Sequence, residues 1–161
     1  MCDELAKCAI ITHSASETRA VGVQLGAATQ PGDIVCLNGD LGAGKTTFVQ
    51  GVAVGLGIND REITSPTFAL LAEHLGGRIP LYHVDVYRLR DGSQLYDLGF
   101  DDYLRNLDGL IIIEWAERVA DDIPTDRLDI IFSPGTEDDD RTLVLTAHGY
   151  ASKNLLTLLS R

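Results

Sequence analysis

The stretch Gly39-Asp40-Leu41-Gly42-Ala43-Gly44-Lys45-Thr46 fits G-x-x-x-x-G-K-[ST], a pattern suited to holding phosphate. Its glycines permit positive φ, so successive backbone N–H groups can face one cavity as an anion nest. A helix beginning at Lys45 adds the partial positive charge of its N-terminus. Lys45 can reach terminal phosphates, and the Thr46 hydroxyl can ligate Mg²⁺. Such a match arises by accident in on the order of one chain in a hundred or fewer. The predicted strand before it and helix after it narrow those odds further.

A phosphate loop that turns over nucleotide also needs acidic groups near the metal, at the ends of buried strands. Leu110-Ile111-Ile112-Ile113-Glu114 is an apolar run ending in a carboxylate, the form of a Walker B strand. Leu81-Tyr82-His83-Val84-Asp85 is an alternating run that brings His83 and Asp85 out on one face. Each acid alone reads equally as a solvated strand end; with the loop in the same chain, a shared role around one Mg²⁺ is the better reading. Asn-Lys-x-Asp and Asp-x-x-Gly, the usual marks of guanine nucleotide recognition, do not occur, so ATP is expected over GTP. The arginines are scattered, with no clustered lid of the small-molecule-kinase kind.

The elements that must position these groups follow from local signals. Ser14-Ala15-Ser16-Glu17 is a capping box, with Val21 and Leu25 recurring at helical spacing, so residues 14–28 read as a helix. Pro31-Gly32-Asp33 is a turn and 34–37 a strand buried on both faces. Lys45–Leu56 reads as a helix with Gly57 as its C-cap. Residues 68–75 and 79–87 flank Gly76-Gly77 as a hairpin, and short helices are expected around 95–96 and 101–104. Strands at 128–132 and 142–146 bracket the acidic loop 136–140 as a second hairpin, and 154–159 closes as a helix. Residues 136–141 read as a solvated tip from which Arg141 could reach the nucleotide. Together these predict a three-layer α/β fold with a mixed parallel and antiparallel sheet, of the P-loop NTPase kind.

The 161 residues suit one domain over the whole chain, able to bury roughly two thirds of its unfolded surface without staples. Thirteen basic against twenty-four acidic residues give a formal charge of −11, which repels phosphate backbones, so no stand-alone DNA or RNA binder is expected. Apolar runs are too short to span a bilayer, and no signal-peptide pattern opens the chain. Cys2, Cys8 and Cys36 have no metal-ligand spacing and suit a reducing cytoplasm.

Beyond the loop, the sequence resembles the bacterial TsaE (YjeE-type) ATPases of tRNA threonylcarbamoyladenosine biosynthesis. Four blocks carry the likeness: the loop through Thr47, Ser65-Pro66-Thr67-Phe68, His83-Val84-Asp85-Val86-Tyr87-Arg88-Leu89 and Ile113-Glu114-Trp115. A weaker fifth is Leu98-Gly99-Phe100-Asp101-Asp102-Tyr103-Leu104. The resemblance implies ATP and Mg²⁺ as cofactors and slow hydrolysis by the protein alone. It also implies turnover with TsaB-like and TsaD-like partners that transfer a threonylcarbamoyl group onto an adenosine of ANN-decoding tRNAs. In that scheme hydrolysis resets the complex, and the tRNA is met only through the partners.

Residue by residue, the resemblance implies that Gly39, Gly42, Ala43, Gly44, Lys45, Thr46 and Thr47 bind phosphate. Thr46, Asp85 and Glu114 sit at the metal, and Lys45, Asp85 and Glu114 serve hydrolysis. It makes Ser65, Pro66 and Thr67 a switch-like segment, and links His83, Tyr87, Arg88 and Trp115 to switching and partners. Read as ordinary structure, Pro66 shapes a turn, Tyr87 belongs to the core and Trp115 is a core anchor. Asp91-Gly92-Ser93-Gln94 departs from the family, whose members carry more glutamate there. Two other functional readings stay open at this stage: a small-molecule or protein phosphotransferase, and a module in which bound nucleotide only gates partner affinity.

Overall fold

The computed structural model describes residues 6–40, 42–66, 70–105 and 107–161, so expectations on Cys2, Leu41, Thr67 and Phe68 lie outside the described residues. Seven strands form one sheet: β1 (Ala6–Thr12), β2 (Ile34–Asn38), β3 (Leu71–His74), β4 (Leu81–Asp85), β5 (Leu110–Glu114), β6 (Leu128–Pro134) and β7 (Arg141–Ala147). Their order across the sheet is β1-β7-β6-β2-β5-β4-β3. The central β6-β2-β5-β4 pairings are parallel, while β1, β7 and β3 join antiparallel. Both expected hairpins are present as β3–β4 and β6–β7. The sheet is mixed and the class α/β, as the sequence predicts.

Helices α1 (Ala15–Ala28), α2 (Lys45–Leu56) and α5 (Tyr150–Leu159) share one core with Val35, Leu37, Leu110 and Ile112. Helices α3 (Ser93–Asp97) and α4 (Phe100–Arg105), with the 3-10 segment Ala116–Asp122, cover the other face around Cys36, Val84, Ile111 and Ile113. This second layer spans only the β2-β5-β4 half, and Ile11 and Ile131 stay exposed beyond it.

Local chemistry explains most boundaries. Ser14 caps α1 by accepting from the Glu17 amide at 3.1 Å, while the Glu17 carboxylate accepts from His13 N at 2.6 Å, one residue earlier than in a standard capping box. Gly57, with φ at 81°, ends α2 as expected.

Three departures have physical causes. β1 is absent from the sequence reading because Ala6–Thr12 alternates half-buried with exposed at a sheet edge and carries few large apolar residues. α5 starts at Tyr150, four residues early, because Asp126 accepts from the Ala151 and Ser152 amides and caps it from outside the helix. Asp85 is not the solvated strand end that it could equally be read as: all five residues of β4 are buried, and Asp85 lines the cavity described below. Among the described residues no helix is long and apolar enough to cross a membrane.

Candidate phosphate-binding site

Parallel strands β2, β5 and β4 deliver the site, because their carboxyl ends open at the same edge of the sheet. β2 runs into the loop at Gly39, whose φ is 148° and where a Cβ would lie 2.8 Å from the Phe132 carbonyl oxygen, so only glycine fits. Gly42 and Gly44 take left-handed φ values of 78° and 101°, and a Cβ at Gly42 would meet open space. A cavity of about 360 Å³ is lined by residues 42–47 with Ser65, Asp85, Tyr87, Glu114 and Trp115. Residues far apart in the chain thus converge on one hollow at the start of α2.

Asp85 and Glu114 end neighbouring strands directly opposite each other, and both are 2 % exposed. They share the α1–α2 face with Leu81 and Leu110, because side chains two apart point the same way. Asp85 accepts from the Ser65 hydroxyl at 2.6 Å and the Tyr87 amide at 2.9 Å. His83 is fully buried, with Nε2 2.8 Å from Glu114 Oε2. Its Nδ1 has no hydrogen-bond partner among the described residues.

Lys45 is 6 % exposed, donates to the Gly39 carbonyl and stands 3.7 Å from the Trp115 ring centroid. Burial pushes its pKa below the ordinary lysine value, while Glu114, Glu117, Asp85 and Asp40 pull it back up. Trp115 is half-buried rather than a core anchor, and its φ of 62° is a left-handed conformation that costs a non-glycine residue energy. Tyr87 sits on the rim, 4.8 Å from Trp115 between ring centroids. Arg118 stacks over Tyr87 at 5.1 Å.

The structure therefore gathers Gly42, Ala43, Gly44, Lys45, Thr46, Thr47, Ser65, Asp85, Tyr87, Glu114 and Trp115 around one cavity. Gly39 lies behind it on Lys45, and His83 behind it on Glu114. Pro66 is buried and Arg88 exposed, both outside the cavity lining, and Thr67 lies outside the described residues. Sequence reasoning missed Arg118, which nothing marks in the sequence. It also missed the His83–Glu114 pair, whose signal is two polar residues in otherwise apolar strands.

Arg141 reaches the loop itself, donating to the Ala43 carbonyl at 3.2 Å and the Gly42 carbonyl at 3.3 Å. With Ala15 and Thr18 of α1 it lines a smaller hollow of about 120 Å³ beside Gly44 and Thr47. A larger hollow of about 420 Å³ lies at the opposite end of the sheet, by Asp33 and Asp126. There the α5 amides are already taken by Asp126, so no anion nest is open.

A hydroxyl, two carboxylates, a lysine and a glycine loop ahead of a helix form a site able to hold a phosphate chain and a hard cation. No group of three His, Cys, Asp or Glu side chains among the described residues forms a closed metal cage. Two carboxylates and a hydroxyl instead suit Mg²⁺, which keeps waters and takes its remaining ligands from phosphate.

Fold and site together define the class: an α/β protein whose glycine-rich loop, of the G-x-x-x-x-G-K-[ST] pattern, lies at the carboxyl edge of a mixed sheet. The family model of the threonylcarbamoyl adenosine biosynthesis protein TsaE matches residues 12–143. The chain is 43% identical over 150 residues to the tRNA threonylcarbamoyladenosine biosynthesis protein TsaE of Bacillus subtilis, covering 93% of this chain and 92% of that one. It is 46% identical over 114 residues to the protein of that name from Treponema pallidum, covering 71% and 82%. The crystal structure of YdiB from Bacillus subtilis superimposes with a TM-score of 0.83 at 37% identity, covering 98% of this chain and 97% of that one. The chain belongs to the TsaE family.

Proposed function

We propose that this chain is an ATP-binding, Mg²⁺-dependent ATPase that supports tRNA threonylcarbamoyladenosine biosynthesis through TsaB-like and TsaD-like partners, its hydrolysis resetting their complex. The observation that carries the reading is the convergence of Lys45, Thr46, Asp85 and Glu114 on the one cavity at the phosphate loop. Membership in a family named for this biosynthesis supplies the pathway. The net charge of −11 fits a protein that leaves the tRNA to its partners.

The loop amides and the N-terminus of α2 bind the phosphate chain, and Lys45 leaves Trp115 to neutralise its end. Thr46, Asp85 and Glu114 would hold Mg²⁺, which when bound offsets charge on the terminal phosphates. Glu114, anchored by His83, holds a carboxylate where it can orient the attacking water and accept its proton. Ser65 bonds Asp85, so the segment it opens senses whether that carboxylate is engaged. Tyr87 and Trp115 screen the hollow from solvent on the rim.

The test is steady-state phosphate release from ATP by the protein alone and with purified TsaB-like and TsaD-like proteins. A slow basal rate that rises with partners is expected. A high rate unchanged by partners points instead to transfer onto an acceptor. ATP binding with no release under either condition points to a nucleotide-gated module.

A further inference from the structure

We infer that Arg141 is a positioning residue of the phosphate loop, holding its Gly42 and Ala43 carbonyls so that the Gly44 amide is turned the other way, toward the cavity. This rests on the reading of that loop as the nucleotide site. Arg141 opens β7 and is paired on both sides, with Thr12 of β1 and Pro134 of β6, so its backbone is held. Its guanidinium donates to four carbonyl oxygens: Nε to Ala43 at 3.2 Å, Nη2 to Gly42 at 3.3 Å, and Nη1 to Asp138 at 2.7 Å and Asp140 at 2.8 Å. The hairpin tip and the phosphate loop are thereby clasped by one planar group.

The direction of those bonds decides their consequence. In a trans peptide the N–H points opposite to the C=O of the same plane. Drawing the Ala43 oxygen to Arg141 turns the Gly44 N–H away from Arg141. Drawing the Gly42 oxygen the same way holds the Ala43 N–H on the Asp40 carbonyl, its partner at 3.1 Å. Gly44 carries a φ of 101° and caps α2, so its own conformational freedom is large and a fixed neighbour is needed to select one orientation. Arg141 is absent from the lining of the main cavity and lines instead the smaller hollow beside Gly44 and Thr47, so it grips the loop from outside the main cavity.

A donor set preoriented toward an anion avoids the ordering cost at binding, which is how such a residue raises affinity without touching the ligand. The fork geometry matters, because two donors on one rigid plane meet two successive carbonyls. A lysine ammonium on a flexible stem cannot reproduce that. The tip that carries Arg141 is itself tied down, since Asp140 Oδ1 meets His13 Nδ1 at 2.9 Å.

The experiment compares the full chain with Arg141→Ala and Arg141→Lys. It reads amide hydrogen exchange of residues 42–46 in nucleotide-free protein, ATP affinity by Trp115 fluorescence, and phosphate release at saturating ATP. We expect exchange at Ala43, whose N–H is held on the Asp40 carbonyl, to rise about tenfold in both variants and ATP affinity to fall about tenfold, or about 1.4 kcal/mol. The rate at saturating ATP should stay within about twofold, and millimolar guanidinium should recover part of the affinity of Arg141→Ala. Unchanged exchange in the nucleotide-free variants overturns the inference, whether affinity is kept (no role) or lost (a direct contact to nucleotide). Full rescue by lysine overturns the fork argument. If the parent protein fails to bind ATP, the nucleotide reading fails, while the nucleotide-free exchange still decides the loop-positioning claim.

Discussion

Lys45 holds its ammonium 3.7 Å from the centroid of the Trp115 ring while donating to the Gly39 carbonyl. The lysine of the phosphate loop is thus satisfied without an anion, by a ring face and a backbone oxygen. A phosphate must draw it off both. Trp115 is the only tryptophan in the chain, so its emission reads this exchange directly. Adding ATP with Mg²⁺ should change Trp115 emission saturably. Lys45→Ala should shift the emission of the free protein and abolish the response to nucleotide. A variant that responds like the parent would show that Lys45 is not what the ring senses.

His83 and Glu114 form a buried pair, 0 % and 3 % exposed at their side chains, with 2.8 Å between Nε2 and Oε2. His83→Leu removes the donor and leaves the carboxylate without that bond, which costs roughly 1–3 kcal/mol. His83→Gln places an amide N–H near the former Nε2 and should recover at least half of the loss. Urea unfolding of the three proteins measures it. Glu114→Ala should keep ATP binding and lose partner-stimulated phosphate release, and normal turnover in that variant would remove Glu114 from the chemistry.

Helices α1 and α2 touch backbone to backbone. A Cβ on Gly22 would come within 2.2 Å of the Phe48 carbonyl oxygen, one on Gly26 within 2.2 Å of Val52 O, and one on Gly51 within 2.1 Å of Arg19 O. A carbonyl cannot move aside as a flexible side chain can, so alanine at any of these must push the helices apart. Gly22→Ala or Gly51→Ala should cost about 3 kcal/mol, the upper end of ordinary over-packing. Because α2 carries Lys45 and Thr46, ATP affinity should fall with stability. Gly32 has a φ of 99° but nothing within 4 Å of a Cβ, so Gly32→Ala should cost only about 1 kcal/mol of backbone strain and leave ATP affinity alone. Equal losses from Gly22→Ala and Gly32→Ala in thermal melts would contradict the close-packing account.

The glycine-rich loop between β2 and α2 was legible because its signal is local: glycines, a lysine and a hydroxyl in one octet between a strand and a helix. β2 and β5 were legible because continuous burial leaves uninterrupted apolar runs, and α2 because it follows the loop and ends at Gly57. β1 was not, since an edge strand packed through Cys8 and Ile10 against the core needs little apolar character. The His83–Glu114 bond was hidden for a different reason. It spans 31 residues, and only the parallel register that sets His83 against Ile112 brings the two together. Arg141 lies 98 residues from Ala43, and its role depends on which way two peptide planes face. Local composition reports burial and turns; long-range polar pairs follow from topology.

The His13–Asp140 contact gives the hairpin tip a pH dependence of definite sign. Its hydrogen bond to Asp140 raises the His13 pKa above 6.5, with the charges of Asp140 and Glu17 adding to the effect. The same bond lowers the Asp140 pKa below 3.8, helped by the Glu137 amide and by the charges of His13 and Arg141. A raised histidine contributes fully below its unfolded pKa and loses its contribution as pH climbs through the folded one. A depressed aspartate contributes above its unfolded pKa and loses that as pH falls through the folded one. The tip is therefore held to the start of α1 between the two folded values, and it loosens on the alkaline side first as His13 gives up its proton. An NMR titration of the His13 ring should give a midpoint above 6.5 in the parent protein and a lower one in Asp140→Asn. Because His13 is exposed, the shift should shrink as salt is raised. An unchanged midpoint in Asp140→Asn would show that the tip is held to α1 by something other than this pair.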